Sequence, residues 1–195
     1  MLREKLEGIS DPETEEYLRR MKSTARRMDQ LITDALSYNK AVREEIPLAP
    51  VDTGALLKGV IESYPDLQSP AVHIRVEGTL PPVVANEAGL AQCFGNLLGN
   101  AVKFAAPGRD PEVRIYAERN GQFIRLWFED NGIGISKEFQ RRIFGMFQRG
   151  SRDREGTGIG LALVRKVAER MRGCVGVESE PGKGSRFWLD LLPTN

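Results

Sequence analysis

The sequence changes character once, near residue 47, and this change constrains the fold more than any other feature. From 11 to 45 the chain is highly charged, lacks glycine and carries apolar residues at alternating spacings of three and four. That spacing is typical of one long amphipathic helix. Ser10-Asp11-Pro12 predicts the start of this helix, and Pro47 and Pro50 predict its end. The apolar positions are Leu18, Met21, Ala25, Met28, Ile32, Ala35 and Val42.

Two arrangements of this helix are open. It could lie against the domain that follows, or it could be one half of a helical hairpin that pairs with other helices. Its apolar stripe is wider than the seam of a two-stranded coiled coil, because it is flanked by Tyr17, Leu31, Leu36 and Tyr38. We therefore favour a multi-helix bundle. We interpret residues 1–9 as the tail of a partner helix, followed by a loop from Gly8 to Asp11.

The chain after residue 47 mixes strand and helix patterns. The runs EVRIYAERN and QFIRLWFED flank Asn120-Gly121, which is the strongest short signal for a β-hairpin. A short extended segment at 48–51 opens this part of the chain. Alternating or apolar runs then predict strands at 71–78 and 81–86, and two further runs at 174–180 and 185–192 predict a closing hairpin. Helical spacing predicts helices at 53–63, 87–104 and 161–171. This order predicts an α+β fold, a two-layer α/β sandwich preceded by a long amphipathic helix.

Composition excludes several classes of partner. The 28 basic and 27 acidic residues leave a net charge of +1, so no overall field favours nucleic acid or an anionic membrane. No apolar run approaches the roughly 18 residues that a membrane span needs, and the N-terminal sequence is too charged for a signal peptide. We therefore expect a cytoplasmic segment that makes no membrane contact and binds no nucleic acid. Cys93 and Cys174 lack metal-ligand spacing, and we expect both to be packed free thiols.

Four short patterns follow one another in the second part of the chain. They are NLLGNAVKF at 96–104, DNGIGI at 130–135, IFGMF at 143–147 and GTGIGL at 156–161. Each is weak evidence alone, but together they resemble the N, G1, F and G2 boxes of the ATP-binding module of two-component sensor histidine kinases. The resemblance covers roughly residues 47–195. It implies the Bergerat ATP-binding fold, with ATP or ADP as the ligand and Mg²⁺ as the accompanying ion.

The first pattern puts two amides and a lysine on one face of a helix. Asn96 and Asn100 lie one turn apart, and Lys103 follows three residues later. A carboxamide oxygen can complete the coordination of Mg²⁺ without repelling phosphates, so both asparagines are candidate metal ligands. Lys103 is a candidate phosphate-binding and catalytic cation, and the resemblance adds Phe104 to the nucleotide contacts. In the alternative, the two asparagines only hydrogen-bond neighbouring loops.

The second pattern directly follows a predicted strand. The Asp130 carboxylate can accept a hydrogen bond from the exocyclic amine of adenine, whereas the carbonyl of guanine would face it without a partner. Gly132 and Gly134 would let the backbone approach a flat base closely, and Ile135 completes the box. The alternative is an ordinary Asp-Asn-Gly turn, and here the resemblance favours the adenine site.

The last pattern differs from two other glycine-rich loops. A dinucleotide-binding loop should follow a strand directly, and a P-loop should end in Gly-Lys-Ser or Gly-Lys-Thr. We interpret GTGIGL instead as a helix entrance whose backbone N–H groups face the nucleotide phosphates. The residues concerned are Thr157, Gly158, Ile159, Gly160 and Leu161.

The stretch 136–155 combines a short helix with the charged run SRDRE, and we expect it to be a mobile lid. Phe144 and Phe147 are expected to anchor this lid to the core rather than to stack on the base. Arg149 matches a family position that can reach the terminal phosphate, which makes it a candidate catalytic residue. Its alternative role is that of a solvated cation.

The resemblance implies a reaction as well as a ligand. In the family, the γ-phosphate of ATP moves to a histidine on the dimerisation helices and then to an aspartate of a response-regulator receiver domain. The chain contains one histidine, His73, and nothing near it resembles the acceptor motif. We therefore expect residues 1–46 to be part of the dimerisation hairpin and residues 47–195 to be the catalytic domain, with the acceptor outside this chain. The full-length kinase is expected to be a homodimer.

Three other functions remain open from the sequence. ATPases of the gyrase, MutL and chaperone kind place a water-activating glutamate four residues before the N-box asparagine, where this chain has Asn96, so efficient hydrolysis is not expected. A stand-alone serine kinase with the same module would not carry the helix predicted at 11–45. A nucleotide-sensing interaction module is the third, and no box is altered enough to require it.

Overall fold

The computed structural model describes residues 12–43, 47–148, 150 and 156–194. Its helices are α1 (Pro12–Arg43), α2 (Thr53–Ser63), α3 (Glu87–Lys103), α4 (Lys137–Gln140) and α5 (Gly160–Arg170). Its strands are β1 (Ala49–Val51), β2 (His73–Glu77), β3 (Val83–Ala85), β4 (Glu112–Asn120), β5 (Phe123–Asp130), β6 (Cys174–Ser179) and β7 (Ser185–Pro193). A short 3-10 helix at Pro65–Gln68, which the sequence patterns did not predict, lies between α2 and β2. The helix tail predicted at 1–9 and the loop predicted from Gly8 to Asp11 lie outside the described residues.

Helix α1 is one continuous helix, as its apolar spacing predicts. Near its C-terminal end, Tyr38 and Ala41 pack against the core of the following domain. The Arg170 guanidinium also donates a hydrogen bond of 2.9 Å to the Val42 carbonyl oxygen. Much of the apolar stripe is nevertheless exposed, namely Tyr17, Leu18, Met21, Met28, Ile32, Leu36 and Val42.

One mixed sheet organises the domain after α1. Its strand order is β1-β3-β7-β5-β4-β2, and β6 pairs with β7 beside this path. The neighbouring strands are antiparallel except β2 and β4, which run parallel. The predicted hairpin is confirmed as β4–β5, in which Asn120 pairs with Phe123 and Gly121 adopts the positive φ of 59° that such a tight turn favours. The predicted closing hairpin is β6–β7.

The helices cover one face of the sheet and enclose the core. Helix α3 is central to it: the Asn86 side chain caps its start by accepting a hydrogen bond from the Gly89 N–H. The Phe94 ring of α3 lies 5.4 Å from the Phe128 ring of β5. Other fully buried side chains at this contact are Leu90, Leu97, Leu98, Leu126 and Leu189. The fold is therefore the predicted α+β two-layer sandwich preceded by a long helix.

The two cysteines differ in their surroundings. Both are free thiols, as expected. Cys93 is buried, and burial raises the pKa of its thiol to about 12. Cys174 is exposed at the start of β6, so the expectation of a packed thiol is wrong at this position. Within the part of the chain that the structure describes, no helix is long and apolar enough to cross a membrane.

An ion pair joins β5 to β7 on the sheet face away from the helices. The Arg125 guanidinium donates to Asp190 Oδ1 at 2.7 Å and to Oδ2 at 2.8 Å. The Asn120 amide adds a hydrogen bond of 3.0 Å to Oδ2, and the guanidinium lies 4.1 Å from the centroid of the Trp188 ring. The Asp190 side chain is only 4% exposed, so these donors replace the water that would otherwise solvate the carboxylate.

Asp190→Ala should therefore destabilise the fold strongly, because it leaves the Arg125 guanidinium without its partner. We expect the free energy of unfolding, measured by urea denaturation, to fall by about 3–5 kcal/mol. Glu178→Ala is the matched control, since it breaks a pair with Arg186 in which the side chains are 51% and 44% exposed. The control should cost less than about 1 kcal/mol. Equal losses would contradict the importance of the Arg125–Asp190 pair.

Candidate functional site

A cavity of about 1500 Å³ opens between α3, the end of β5 and the start of α5. It brings together most of the residues that the sequence patterns single out: Asn96, Asn100, Lys103, Phe104, Asp130, Gly134, Ile135, Thr157, Gly158, Gly160 and Leu161. Two predicted residues, Gly132 and Ile159, are not among those that line it. The Ile159 side chain is fully buried in the core, so this residue can offer only its backbone.

Asp130 ends β5 and contributes a carboxylate to the cavity. Its Oδ1 accepts hydrogen bonds from the backbone N–H groups of Gly132, at 2.9 Å, and Ser185, at 3.2 Å. No described residue donates a hydrogen bond to Oδ2. Among the described residues, every side-chain oxygen that is fully buried has a hydrogen-bond partner. Because Oδ2 has none, it cannot be fully buried and must be accessible from the cavity. One oxygen therefore anchors the turn, and the other can accept a hydrogen bond from a ligand.

Burial perturbs the acidity of this carboxyl group. It raises the pKa of Asp130 from 3.8 to about 6. The hydrogen bonds from Gly132 and Ser185 act in the opposite direction, and the nearby charge of Glu129 adds to the rise. Desolvation is the largest of these effects, which means that the folded state favours the protonated form more than the unfolded state does.

The glycines of the second pattern are required by the chain's own backbone. A Cβ atom at Gly132 would collide with the Phe104 carbonyl oxygen, and one at Gly134 would collide with the Glu180 carbonyl oxygen. The Ile133 N–H donates to the same Phe104 oxygen at 3.0 Å. The segment is thus pressed between the end of α3 and the β6–β7 turn, which explains both glycines without a bound base.

The second pattern is also a turn, as its alternative interpretation holds. The Asn131 side chain accepts a hydrogen bond of 3.0 Å from the Glu112 N–H and donates one of 3.0 Å to the Asp110 carbonyl oxygen. It therefore ties the end of β5 to the start of β4. Asn131 is not among the candidate site residues of the sequence, although asparagine is a common turn residue. The turn and the accessible Asp130 oxygen exist together, so the two interpretations do not exclude each other.

The two asparagines of α3 make no hydrogen bond to a neighbouring loop among the described residues. The Asn96 amide donates to the Gln92 carbonyl oxygen of its own helix at 2.8 Å. Its Oδ1 lies against Gly160, where a Cβ atom would collide with it. The Asn100 side chain lines the cavity. This arrangement leaves carboxamide groups on the cavity side of α3.

Lys103 lies on the same side of α3. Its ammonium is 5.0 Å from the centroid of the Phe104 ring and lies against Gly156, where a Cβ atom would collide with it. The described residues contain no group of three or more His, Cys, Asp or Glu side chains that could hold a metal ion. An ion bound beside the α3 amides would need ligand phosphates and water to complete its coordination, which suits Mg²⁺.

Helix α5 begins beside the cavity without a side-chain cap. Its first helical hydrogen bond runs from the Leu163 N–H to the Ile159 carbonyl oxygen at 2.9 Å. The N–H groups of its first three residues therefore have no acceptor within the helix. Gly158, with φ of 73°, turns the chain into this helix entrance. N–H groups without an intrahelical acceptor and the positive end of the helix dipole favour an anion at this point.

Helix α1 also reaches the cavity, which sequence reasoning did not predict. The Thr157 hydroxyl accepts a hydrogen bond of 3.3 Å from the Ile159 N–H and donates one of 2.5 Å to Asp34 Oδ2. Gln30 and Asp34 consequently line the same cavity. No signal in the sequence could have indicated this contact, because Asp34 is one of many charged residues on α1 and lies 123 positions from Thr157.

The third pattern behaves only partly as expected. Phe144 packs against the core, where its ring meets the Phe187 ring edge-on with the two ring centroids 6.4 Å apart. Phe147 is 63% exposed and has a positive φ of 60°, so the expectation that it anchors the lid to the core is wrong. That backbone conformation turns its side chain outward while its N–H donates to the Gly158 carbonyl oxygen at 2.8 Å. Arg149 and the charged run at 151–155 lie outside the described residues.

Asp130→Asn should change how stability depends on pH. Because the folded pKa of about 6 lies above the ordinary 3.8, the wild-type chain loses stability as pH rises between these values, by up to about 3 kcal/mol. Asparagine keeps the Oδ1 acceptor and removes the charge. Its stability relative to wild type should therefore increase across this range, measured as the free energy of unfolding in urea at several pH values. A difference that does not vary with pH would contradict the assignment.

Several known proteins resemble this chain in sequence. The profile of the family described as histidine kinase-, DNA gyrase B-, and HSP90-like ATPase matches residues 85–195. The phytochrome-like protein Cph1 of Synechocystis is 35% identical over 84% of this chain and 22% of its own length. The aerobic respiration control sensor protein ArcB of Escherichia coli is 34% identical over 92% of this chain and 24% of its own length. The chain thus spans about a fifth to a quarter of these two relatives.

Solved structures show the same fold. Full-length ShkA in complex with AMPPNP superimposes with a TM-score of 0.72 at 30% identity, covering 94% of this chain and 40% of that one. The histidine kinase AdeS of Acinetobacter baumannii gives a TM-score of 0.74 over 100% of this chain and 92% of that one, and at 20% identity it supports the fold alone. The chain belongs to the histidine kinase-, DNA gyrase B- and HSP90-like ATPase family and contains the ATP-binding catalytic module of a sensor histidine kinase.

Proposed function

We propose that this chain binds ATP with Mg²⁺ in the cavity and directs the γ-phosphate to a histidine outside the chain. The observation that carries the proposal is that one cavity offers two different kinds of binding group. Asp130, beside the C-terminal end of α3, offers an accessible acceptor oxygen. The start of α5, which has no side-chain cap, offers N–H groups that lack an acceptor within the helix and lie beside Asn96. Asn96 precedes Phe104 by eight positions, roughly 12 Å along the helix axis, so a ligand with separate base and phosphate ends fits this arrangement.

Adenine would bind at the Asp130 end. Its exocyclic amine would donate to Asp130 Oδ2, since Oδ1 already accepts two backbone hydrogen bonds. Apolar side chains of Ile135 and Leu161, which line the same cavity, are available to pack against the faces of the base. Guanine would turn its carbonyl oxygen toward Asp130 Oδ2, so neither the carbonyl oxygen nor Oδ2 would have a hydrogen-bond donor.

The phosphates would lie toward the start of α5. There they could accept hydrogen bonds from the uncapped N–H groups, and the Lys103 ammonium would offset part of their charge. Asn96 and Asn100 are the residues that would hold Mg²⁺, and a bound ion would supply further neutralisation of the phosphate charge. These residues would orient the phosphates and stabilise their negative charge. Phosphoryl transfer depends more on these two effects than on covalent catalysis.

The acceptor would come from elsewhere in the kinase. His73 begins β2 and is exposed, and it pairs in register with Glu112, next to the buried Val113. Because successive strand residues face opposite sides, His73 points to the sheet face away from the helices and the cavity. We propose that a histidine on the dimerisation helices accepts the γ-phosphate and that an aspartate of a receiver domain then accepts it from the histidine. The exposed apolar side chains of α1 support pairing of this helix within a homodimeric bundle.

Nucleotide choice should depend on Asp130. Calorimetry near neutral pH should detect Mg²⁺-dependent binding of ATP and ADP and much weaker binding of GTP. Asp130→Asn should weaken ATP binding by roughly 1–3 kcal/mol, because a charge-assisted hydrogen bond is lost. Glu138→Gln is the matched control: it removes an acidic group from an exposed residue of the same cavity and should leave ATP binding nearly unchanged. Equal affinity for ATP and GTP would exclude the adenine site.

Phosphoryl transfer should require a supplied acceptor. Incubated alone with radiolabelled ATP, the chain should incorporate no acid-labile phosphate, and His73→Ala should behave identically. When the histidine-bearing hairpin of the same kinase is added as a separate polypeptide, that histidine should become labelled. The reaction should be slow, because separate partners lack the high effective concentration of a tethered pair. Strong labelling of His73, or no transfer at any hairpin concentration, would refute the proposal.

A further inference from the structure

Helix α1 presents a fixed carboxylate to the cavity. Asp34 is half-buried, and both of its oxygens accept hydrogen bonds. The Gln30 amide donates to Oδ1 at 2.8 Å, and the Thr157 hydroxyl donates to Oδ2 at 2.5 Å. These two donors come from different parts of the chain, one from α1 itself and one from the entrance to α5. The carboxylate is therefore held at a defined position between the two.

This position is at the end of the cavity where the phosphates would lie. Thr157 stands three residues before the first residue of α5, between Gly156, which contacts the Lys103 ammonium, and Gly158. The Asn96 carboxamide contacts the same helix start. The Asp130 carboxylate, by contrast, lies at the end of β5, where it holds the Gly132 N–H. Asp34 is thus a negative charge among the groups that would bind the negative end of the ligand.

Two physical effects follow for a polyphosphate. A carboxylate repels phosphate groups, and the repulsion grows with the number of negative charges that lie close to it. Thr157 also has only one hydroxyl hydrogen, and in this arrangement it donates that hydrogen to Asp34. A phosphate oxygen could take the Thr157 hydroxyl only by displacing Asp34. The repulsion opposes a triphosphate more than a diphosphate, the competition for the hydroxyl opposes any phosphate that reaches Thr157, and neither effect opposes adenosine.

The attachment of α1 makes such displacement feasible. The helix is anchored to the domain near its C-terminal end, where Tyr38 and Ala41 pack against the core and Val42 accepts the Arg170 hydrogen bond. Asp34 lies one to two turns before this anchor. Much of the helix before Asp34 is exposed. A small tilt of α1 about its anchored end would therefore separate Asp34 from Thr157 without disturbing the core.

We propose that Asp34 sets the discrimination between nucleoside triphosphates and diphosphates at this site, and that it couples occupancy of the phosphate end to the docking of α1. The inference rests on the nucleotide site proposed above. Coupling between two binding events is reciprocal. If Asp34 lowers the affinity for ATP while α1 is docked on the domain, then bound ATP must shift the docking equilibrium of α1 toward the undocked state. Binding of ATP would thus loosen the helix that leads toward the dimerisation bundle.

The test compares three ligands in three proteins. Calorimetry of the whole chain with MgATP, MgADP and adenosine is performed on wild type, Asp34→Asn and Asp29→Asn. Asp29 is the matched control, since it is an exposed acid on the same helix and does not line the cavity. Asp34→Asn should tighten ATP binding by about three- to tenfold. It should tighten ADP binding less and leave adenosine unchanged, whereas Asp29→Asn should match wild type throughout.

Each other result has a definite meaning. Weaker ATP binding in Asp34→Asn would show that the carboxylate helps to hold the ligand, and it would overturn the proposal. The same holds for equal tightening of all three ligands, which would indicate a general change in the fold. If Asp34→Asn behaves like Asp29→Asn while wild type binds ATP, only the role of Asp34 fails. If wild type binds no nucleotide, the proposed function fails as well.

Hydrogen exchange provides the reciprocal measurement. A nonhydrolysable ATP analogue should speed amide exchange in the segment 31–38 of wild-type α1, because the Asp34–Thr157 contact is displaced. In Asp34→Asn the same segment should already exchange faster without nucleotide, and the analogue should add little. Asp29→Asn should respond like wild type. Unchanged exchange in wild-type α1 at saturating analogue would overturn the coupling.

Discussion

The burial of helix α3 against the sheet is the constraint on which the rest of the structure depends. One side of this helix inserts large apolar side chains, among them Phe94 and Leu98, between the strands and the other helices. Its rotation about its axis is therefore determined by the core. With that rotation set, Asn96, Asn100 and Lys103 must face the cavity. The face of α3 that lines the cavity follows from its packing face, and a substitution that rotated the helix would disrupt both faces.

At the end of β5, one carboxylate both lines the cavity and supports the backbone. The same Asp130 carboxylate that offers Oδ2 to the cavity uses Oδ1 to hold the backbone at Gly132 and at Ser185 of β7. Burial raises the pKa of this carboxyl group, so the ionised form destabilises the folded state. The two backbone hydrogen bonds partly offset this destabilisation. A group that costs stability in this way is typical of a site kept for binding rather than for folding. The backbone at Gly134, in the same turn, lies close to the Glu180 carbonyl oxygen.

Local signals predicted the elements well and their surroundings less well. The hairpin at Asn120 and the helix around Asn96 were predictable, because turn chemistry and helical period act between neighbouring residues. The exposure of Phe147 and Cys174 was not. The positive φ at Phe147 accompanies a hydrogen bond to Gly158, beyond the charged run, and Cys174 is exposed at the start of β6. Neither property is visible in the spacing of apolar residues.

The sequence by itself determined the class of fold, the positions of the four short motifs and the long helix before them, because each of these is encoded in residues close together along the chain. Only the tertiary structure decided which distant residues meet. The pairing of Arg125 with Asp190 on adjacent strands and the contact of Asp34 with Thr157 across 123 positions both depend on the path of the backbone between them. A charged residue on an exposed helix face looks the same in the sequence whether it meets water or the cavity. Its partner is chosen by how α1 docks on the domain, which packing decides and spacing does not.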